Sequence, residues 1–220
     1  MQFVERLVTE VAGRHNVRIE SRSISGGTTV PRSYVTLKAT LIAGTEKYFV
    51  LIVDCHGDRQ VRTRIGEEHK NLTNEGYQKI IGIRDVFPDF SRADIPRLRA
   101  GLMMYLSGKL IPVEFVLSVM EIEAWFLAEA SHFTKIHSSL NMETIKANTA
   151  IDLLQDPSHL ENPASELKKI YDSAGVDYKK GEEITVEKLD YAYVYTEMRE
   201  RIDSVKQLMN SLDEFLGLAA

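Results

Sequence analysis

Cysteine occurs once in these 220 residues, at Cys55, so no internal disulfide can form and a cysteine-based zinc site is excluded. A single thiol suits a reducing compartment. No apolar run approaches the ~20 residues of a membrane span, and Met1-Gln2-Phe3-Val4-Glu5-Arg6-Leu7-Val8 lacks the layout of a signal peptide. The expectation is a cytoplasmic protein with no membrane partner. An excess of one charge is also missing: 27 Lys and Arg against 32 Asp and Glu leave a net charge of -5. Any polyanion partner, nucleic acid included, would therefore need a local cationic patch. The six histidines form no HExxH. There is no Walker A, GxGxxG or GxSxG motif, and Gly26-Gly27-Thr28-Thr29 is too short for a phosphate loop, which disfavours nucleotide hydrolysis by the chain itself.

What is present is an ordinary globular composition, 44% hydrophobic and 27% charged, in a length that fits one large α/β domain or a medium domain with an appendage. Phe3, Val4, Leu7, Val8 and Val11 recur at helical spacing up to Gly13. Residues 17–24 alternate with period two and run into Gly26-Gly27, the pattern of a strand entering a loop. Residues 31–43 are ambiguous. Tyr34, Leu37, Leu41 and Ile42 fit a helix, whereas Val30, Val35, Thr36 and Thr40 favour a strand; the helix is the preferred reading.

Tyr48-Phe49-Val50-Leu51-Ile52-Val53 is an unbroken apolar run, as expected of a parallel strand buried on both faces, and it stops at Asp54. A polar helix over 59–70 leads to a second run, Ile80-Ile81-Gly82-Ile83, which stops at Arg84-Asp85. A helix over 94–106 precedes a third run over 113–119, which stops at Met120-Glu121. Strands alternating with helices predict an open α/β sheet, with the C-terminal ends of its strands along one edge. From about residue 130 the texture becomes helical, ending in a helix over 191–216. The chain thus divides into an α/β domain over 1–129 and a helical extension over 130–220.

The candidate chemistry lies at the strand ends. Asp54, Asp85 and Glu121 would converge, and a hard cation such as Mg²⁺ or Mn²⁺ resolves the repulsion between gathered carboxylates. Asp58, in the turn Asp54-Cys55-His56-Gly57-Asp58, would assist. Glu123 follows Glu121, but on a regular helix it turns away by about 200°, so it ranks second. Arg59, Arg62 and Arg84 adjoin these acids and could bind phosphate. The plainer readings are helix caps for the acids and a salt-bridged helix face, with Glu67 and Glu68, for the arginines. His56 reads as an incidental loop histidine. Cys55 lacks an activating partner at short range. A phospho-receiver reading with Asp54 as acceptor fails because no lysine follows the third run.

The string Met-Glu-Ile-Glu-Ala-Trp-Phe-Leu-Ala over 120–128, with Val53-Asp54, Ile83-Arg84-Asp85, Asn162-Pro163, Glu166-Leu167-Lys168 and Tyr178-Lys179-Lys180, resembles the toprim-like proteins catalogued as domain of unknown function 4276. The resemblance covers most of the chain. It implies a toprim-like, mostly parallel open sheet flanked by helices, and Mg²⁺-dependent phosphodiester cleavage as in the overcoming-lysogenisation-defect nucleases. It also implies an ATPase partner in a bacterial antiphage system. The family's first strand and its glutamate precede the first helix, whereas this sequence opens inside that helix, and Glu5 lies too far along to replace the general base. The resemblance therefore carries an alternative: a catalytically degraded binding subunit of an ATPase-containing complex.

Overall fold

The computed structural model describes residues 1–27, 29–40, 44–178 and 183–218. Leu41, Ile42, Thr28, Lys179 and Lys180, named above, lie outside them. The fold is mixed α/β. It divides into two compact units, one formed by Met1–Ile83, Ala100–Phe115 and Leu212–Ala220, the other by Arg84–Arg99 and Val116–Ser211.

The first unit opens with helix α1 (Gln2–Ala12), which buries Phe3, Leu7 and Val8 on one face and ends at Gly13, whose φ of 80° suits a residue without Cβ. Strand β1 (Val17–Ser25) buries Val17, Ile19 and Ser21 in strict alternation. A register shift between Ser21 and Arg22 in the ladder with β2 then moves the buried position to Ile24. Strand β2 (Ser33–Ala39) pairs antiparallel with β1, and β3 (Tyr48–Asp54) pairs parallel with it, giving the order β2-β1-β3. The helix expected over 31–43 is thus a strand through Ala39: Tyr34, Val35 and Thr36 pair with Ile24, Ser23 and Arg22. Strand β3 is also less buried than its composition predicts. Only Ile52 is fully enclosed, and Phe49 lies under the Arg18 guanidinium, 5.3 Å from its ring centroid, and 5.9 Å from Tyr77.

Helix α2 (Asp58–Asn74) fulfils the expectation for 59–70 and buries Val61, Arg64, Ile65 and His69. Strand β4 (Ile80–Asp85) adjoins β5 (Val113–Ser118) in a separate two-stranded sheet, with helix α3 (Ile95–Met103) between them in sequence. The Ile80 N–H donates to the Pro112 carbonyl and the Val86 N–H to that of Ser118, so this pair is parallel. Gly82 is required: a Cβ there would stand 2.7 Å from Ile65 Cδ1 and 2.8 Å from Phe115 Cδ1. The strands therefore form two small sheets in place of the single open sheet expected.

In the second unit, helix α4 (Glu123–Ala128) buries all six of its residues. The indole N–H of Trp125 donates to Ser204 Oγ at 3.0 Å, which satisfies the one polar atom of an otherwise apolar core side chain. Helices α5 (Ser131–Ile136), α6 (Met142–Thr149), α7 (Pro163–Asp172) and α8 (Glu183–Lys188) follow. The helix expected over 191–216 is interrupted. A π-helical turn spans Val194–Met198, the backbone is extended at Ile202, and a regular helix resumes over Asp203–Leu216. Among the described residues, no helix is long and apolar enough to cross a membrane.

Candidate metal centre

Strands β4 and β5 end side by side, and their last residues begin the site. Asp85 Oδ1 accepts hydrogen bonds from Ser118 Oγ and, at 2.9 Å, from the Ile122 N–H. Glu121 lies between β5 and α4, outside any regular helix, whereas Glu123 is the first residue of α4. The 200° separation that ranks Glu123 second assumes a helix running through both glutamates. Because the junction is irregular, both join Asp85: one carboxylate oxygen from each of the three residues lies within 4.8 Å of the others. Glu121 and Glu123 are buried, at 6% and 1% exposure, and Asp85 is half-buried.

The surrounding groups fix the orientation of these carboxylates. Pro163 opens α7 without an N–H, so Ala164 presents the first donor of that helix, and Glu121 Oε2 accepts it at 3.0 Å. The Asn162-Pro163 pair therefore matters to the site by starting the helix that Glu121 caps. Glu123 Oε1 accepts from the Tyr178 hydroxyl at 3.1 Å. Burial, together with the adjacent Glu123, raises the Tyr178 phenol far above its ordinary range, so it remains a donor. Tyr178 stacks on Tyr171 at 5.3 Å.

At an effective dielectric of about 20, two full charges 4.8 Å apart repel by roughly 3 kcal/mol. Hydrogen-bond donors reduce that cost, and a divalent cation removes it. An all-oxygen donor set suits a hard cation and not zinc or copper, which favour nitrogen and sulfur. The carboxylates are oriented by outer partners, as metal ligands are.

Asp54 is not a member of this group. It belongs to the first unit, where Oδ1 accepts the His56 N–H at 2.9 Å. Asp58 is the first residue of α2, where a carboxylate favours the positive end of the helix dipole. Arg84 is buried: its Nε donates to the Asp85 carbonyl at 3.1 Å, its guanidinium pairs with Asp89 at 3.5 Å, and it lies over the Phe90 ring at 5.4 Å. It braces the turn after β4. Arg62 donates to the Met104 carbonyl and lies over the Tyr105 ring at 5.8 Å, while Arg59 is exposed on α2. The Cys55 thiol is pushed up to about 11 by burial and by the Asp54 charge, in line with its dismissal as a nucleophile.

Sequence spacing gives no hint of a third buried acid, Glu129. The Glu129 carboxylate accepts the N–H groups of Ser131 at 2.9 Å and Asp190 at 3.1 Å, and lies 3.6 Å from His132 Nδ1. Burial opposes its ionisation, but the adjacent His132 ring and the hydrogen bonds from Ser131 and Asp190 outweigh burial and hold its pKa at about 2. Comparison with protein-family models, curated proteins and solved structures finds no match to this chain.

Proposed function

We propose that Asp85, Glu121 and Glu123 hold a divalent cation, Mg²⁺ or Mn²⁺, and that the chain is a metal-dependent nuclease hydrolysing phosphodiesters, like the toprim-like proteins it resembles. The observation that carries this reading is the convergence of three carboxylates within 4.8 Å, two of them almost wholly removed from water. Such a cation would supply an activated water and neutralise phosphate charge. Ser118, Tyr178 and the Ile122 and Ala164 N–H groups orient the ligands. Asp85, being half-buried, is the member of the group that solvent reaches. An ATPase partner, a role in antiphage defence and a cytoplasmic location belong to the same proposal and rest on the resemblance alone.

The test is a pair of measurements on the wild type and on Asp85→Asn, which retains an acceptor for Ser118 and Ile122. Millimolar Mg²⁺ or Mn²⁺ should raise the melting temperature of the wild type and support cleavage of DNA or RNA, and Asp85→Asn should lose both responses. No thermal response in the wild type removes the metal reading. A thermal response without cleavage favours the second reading, a binding subunit with a silent site. That reading has its own support: each of the three carboxylates already accepts a hydrogen bond from the protein, and Asp54, the expected additional ligand, is engaged with the His56 backbone.

A further inference from the structure

We propose that Ser23 and His56 form a nucleophile and general-base pair, giving the first unit a metal-independent activity toward carboxylic esters. Ser23 Oγ lies 2.6 Å from His56 Nε2, within the reach required for direct proton transfer. The two residues are 33 apart in sequence and meet because β1 and β3 run parallel, with Ser23 in register with Asp54. Their ends thus open on the same edge of the sheet, where the turn after β3 carries His56 back over β1.

Three local features build the pair. The irregularity after Ser21 interrupts the alternation of β1, so that the inward position passes to Ile24 and Ser23 keeps access to solvent. His56 takes a left-handed backbone, φ 55°, a conformation uncommon for a residue with a Cβ. The Asp54 carboxylate holds it there by accepting the His56 N–H at 2.9 Å. Gly57, φ 117°, then caps α2 without contributing a side chain, so the positive end of that 17-residue helix lies on the same loop. His56 is exposed to solvent. The adjacent Cys55 does not compete, since it is partly buried and its thiol is not ionised at neutral pH.

In the proposed reaction, Ser23 Oγ forms a bond to the ester carbonyl carbon as its proton passes to His56 Nε2. The carbon–oxygen bond to the leaving alcohol then breaks, and His56 returns the proton to that alcohol. Water attacks the acyl-serine, His56 takes its proton, and the released acid leaves Ser23 Oγ reprotonated. The overall change is ester plus water to acid plus alcohol. Asp54 acts as a positioning residue, through the His56 backbone.

The experiment uses the full chain with a fluorophosphonate probe and with p-nitrophenyl acetate, reading the probe's site by peptide mass mapping. The expected result is one adduct, on Ser23, together with release of p-nitrophenol. Ser23→Ala should abolish both, and His56→Asn should slow them by about 100-fold or more, with both variants melting cooperatively near the wild-type temperature. Labelling should persist in EDTA, which keeps this outcome separate from that of the nuclease reading. No adduct on the wild type, an adduct on another residue, unchanged labelling in His56→Asn, or loss of labelling in EDTA would each overturn the proposal.

Discussion

Replacing Glu129 with Gln removes one negative charge from a buried site and keeps an acceptor for only one of the Ser131 and Asp190 N–H groups, which bind different carboxylate oxygens. Folding lowers this carboxyl from an ordinary 4.5 to about 2, the adjacent His132 ring and the hydrogen bonds from Ser131 and Asp190 prevailing over burial. At roughly 1.4 kcal/mol per tenfold change in proton affinity, the ionised form contributes on the order of 3 kcal/mol to stability. Because the folded value lies below the unfolded one, that contribution is complete above pH 4.5 and disappears as the pH falls toward 2. Urea unfolding of wild type and Glu129→Gln at pH 7, 5, 4 and 3 should show a difference of at least about 3 kcal/mol at the two higher values, of which the charge-dependent part shrinks below pH 4.5. A difference under about 1 kcal/mol at pH 7, or one that does not change with pH, would refute the reasoning.

Gly82→Ala places a methyl group 2.7 Å from Ile65 Cδ1 and 2.8 Å from Phe115 Cδ1 and should cost about 1–3 kcal/mol, read from the shift in denaturation midpoint. Ser204→Ala leaves the buried Trp125 N–H without its acceptor and should cost about 1–3 kcal/mol. Trp125 is the only tryptophan, so the same variant should shift its emission maximum.

An element is legible in the sequence where it buries one consistent face. The stripe Phe3, Leu7, Val8 announces α1, and the apolar runs announce β3, β4 and β5. Strand β2 is not legible for a related reason: all seven of its residues are exposed, so no inward face imposes a period of two, and Tyr34 and Leu37 fall at helical spacing by chance. In β3 only Ile52 is buried, and Phe49 has the Arg18 and Tyr77 side chains beside it and stays exposed. Asp85 and Glu121 were legible as candidates because they follow strands. Glu123 ranks only second in the sequence because a helix unbroken from Glu121 turns it away, whereas α4 starts at Glu123 itself. Tyr178 meets Glu123 across 55 residues and His56 meets Ser23 across 33, separations that no local spacing rule encodes.

Residues 1–83 leave the ribosome long before Leu212 and Leu216, yet both leucines are buried members of the same unit. Tyr48 donates to the Leu216 carbonyl at 2.8 Å, its ring lies 5.3 Å from that of Phe215, and Lys79 pairs with Glu214 at 2.6 Å. The sheet synthesised first must therefore wait for this late-arriving helical turn, with its apolar seam open to the crowded cell throughout translation.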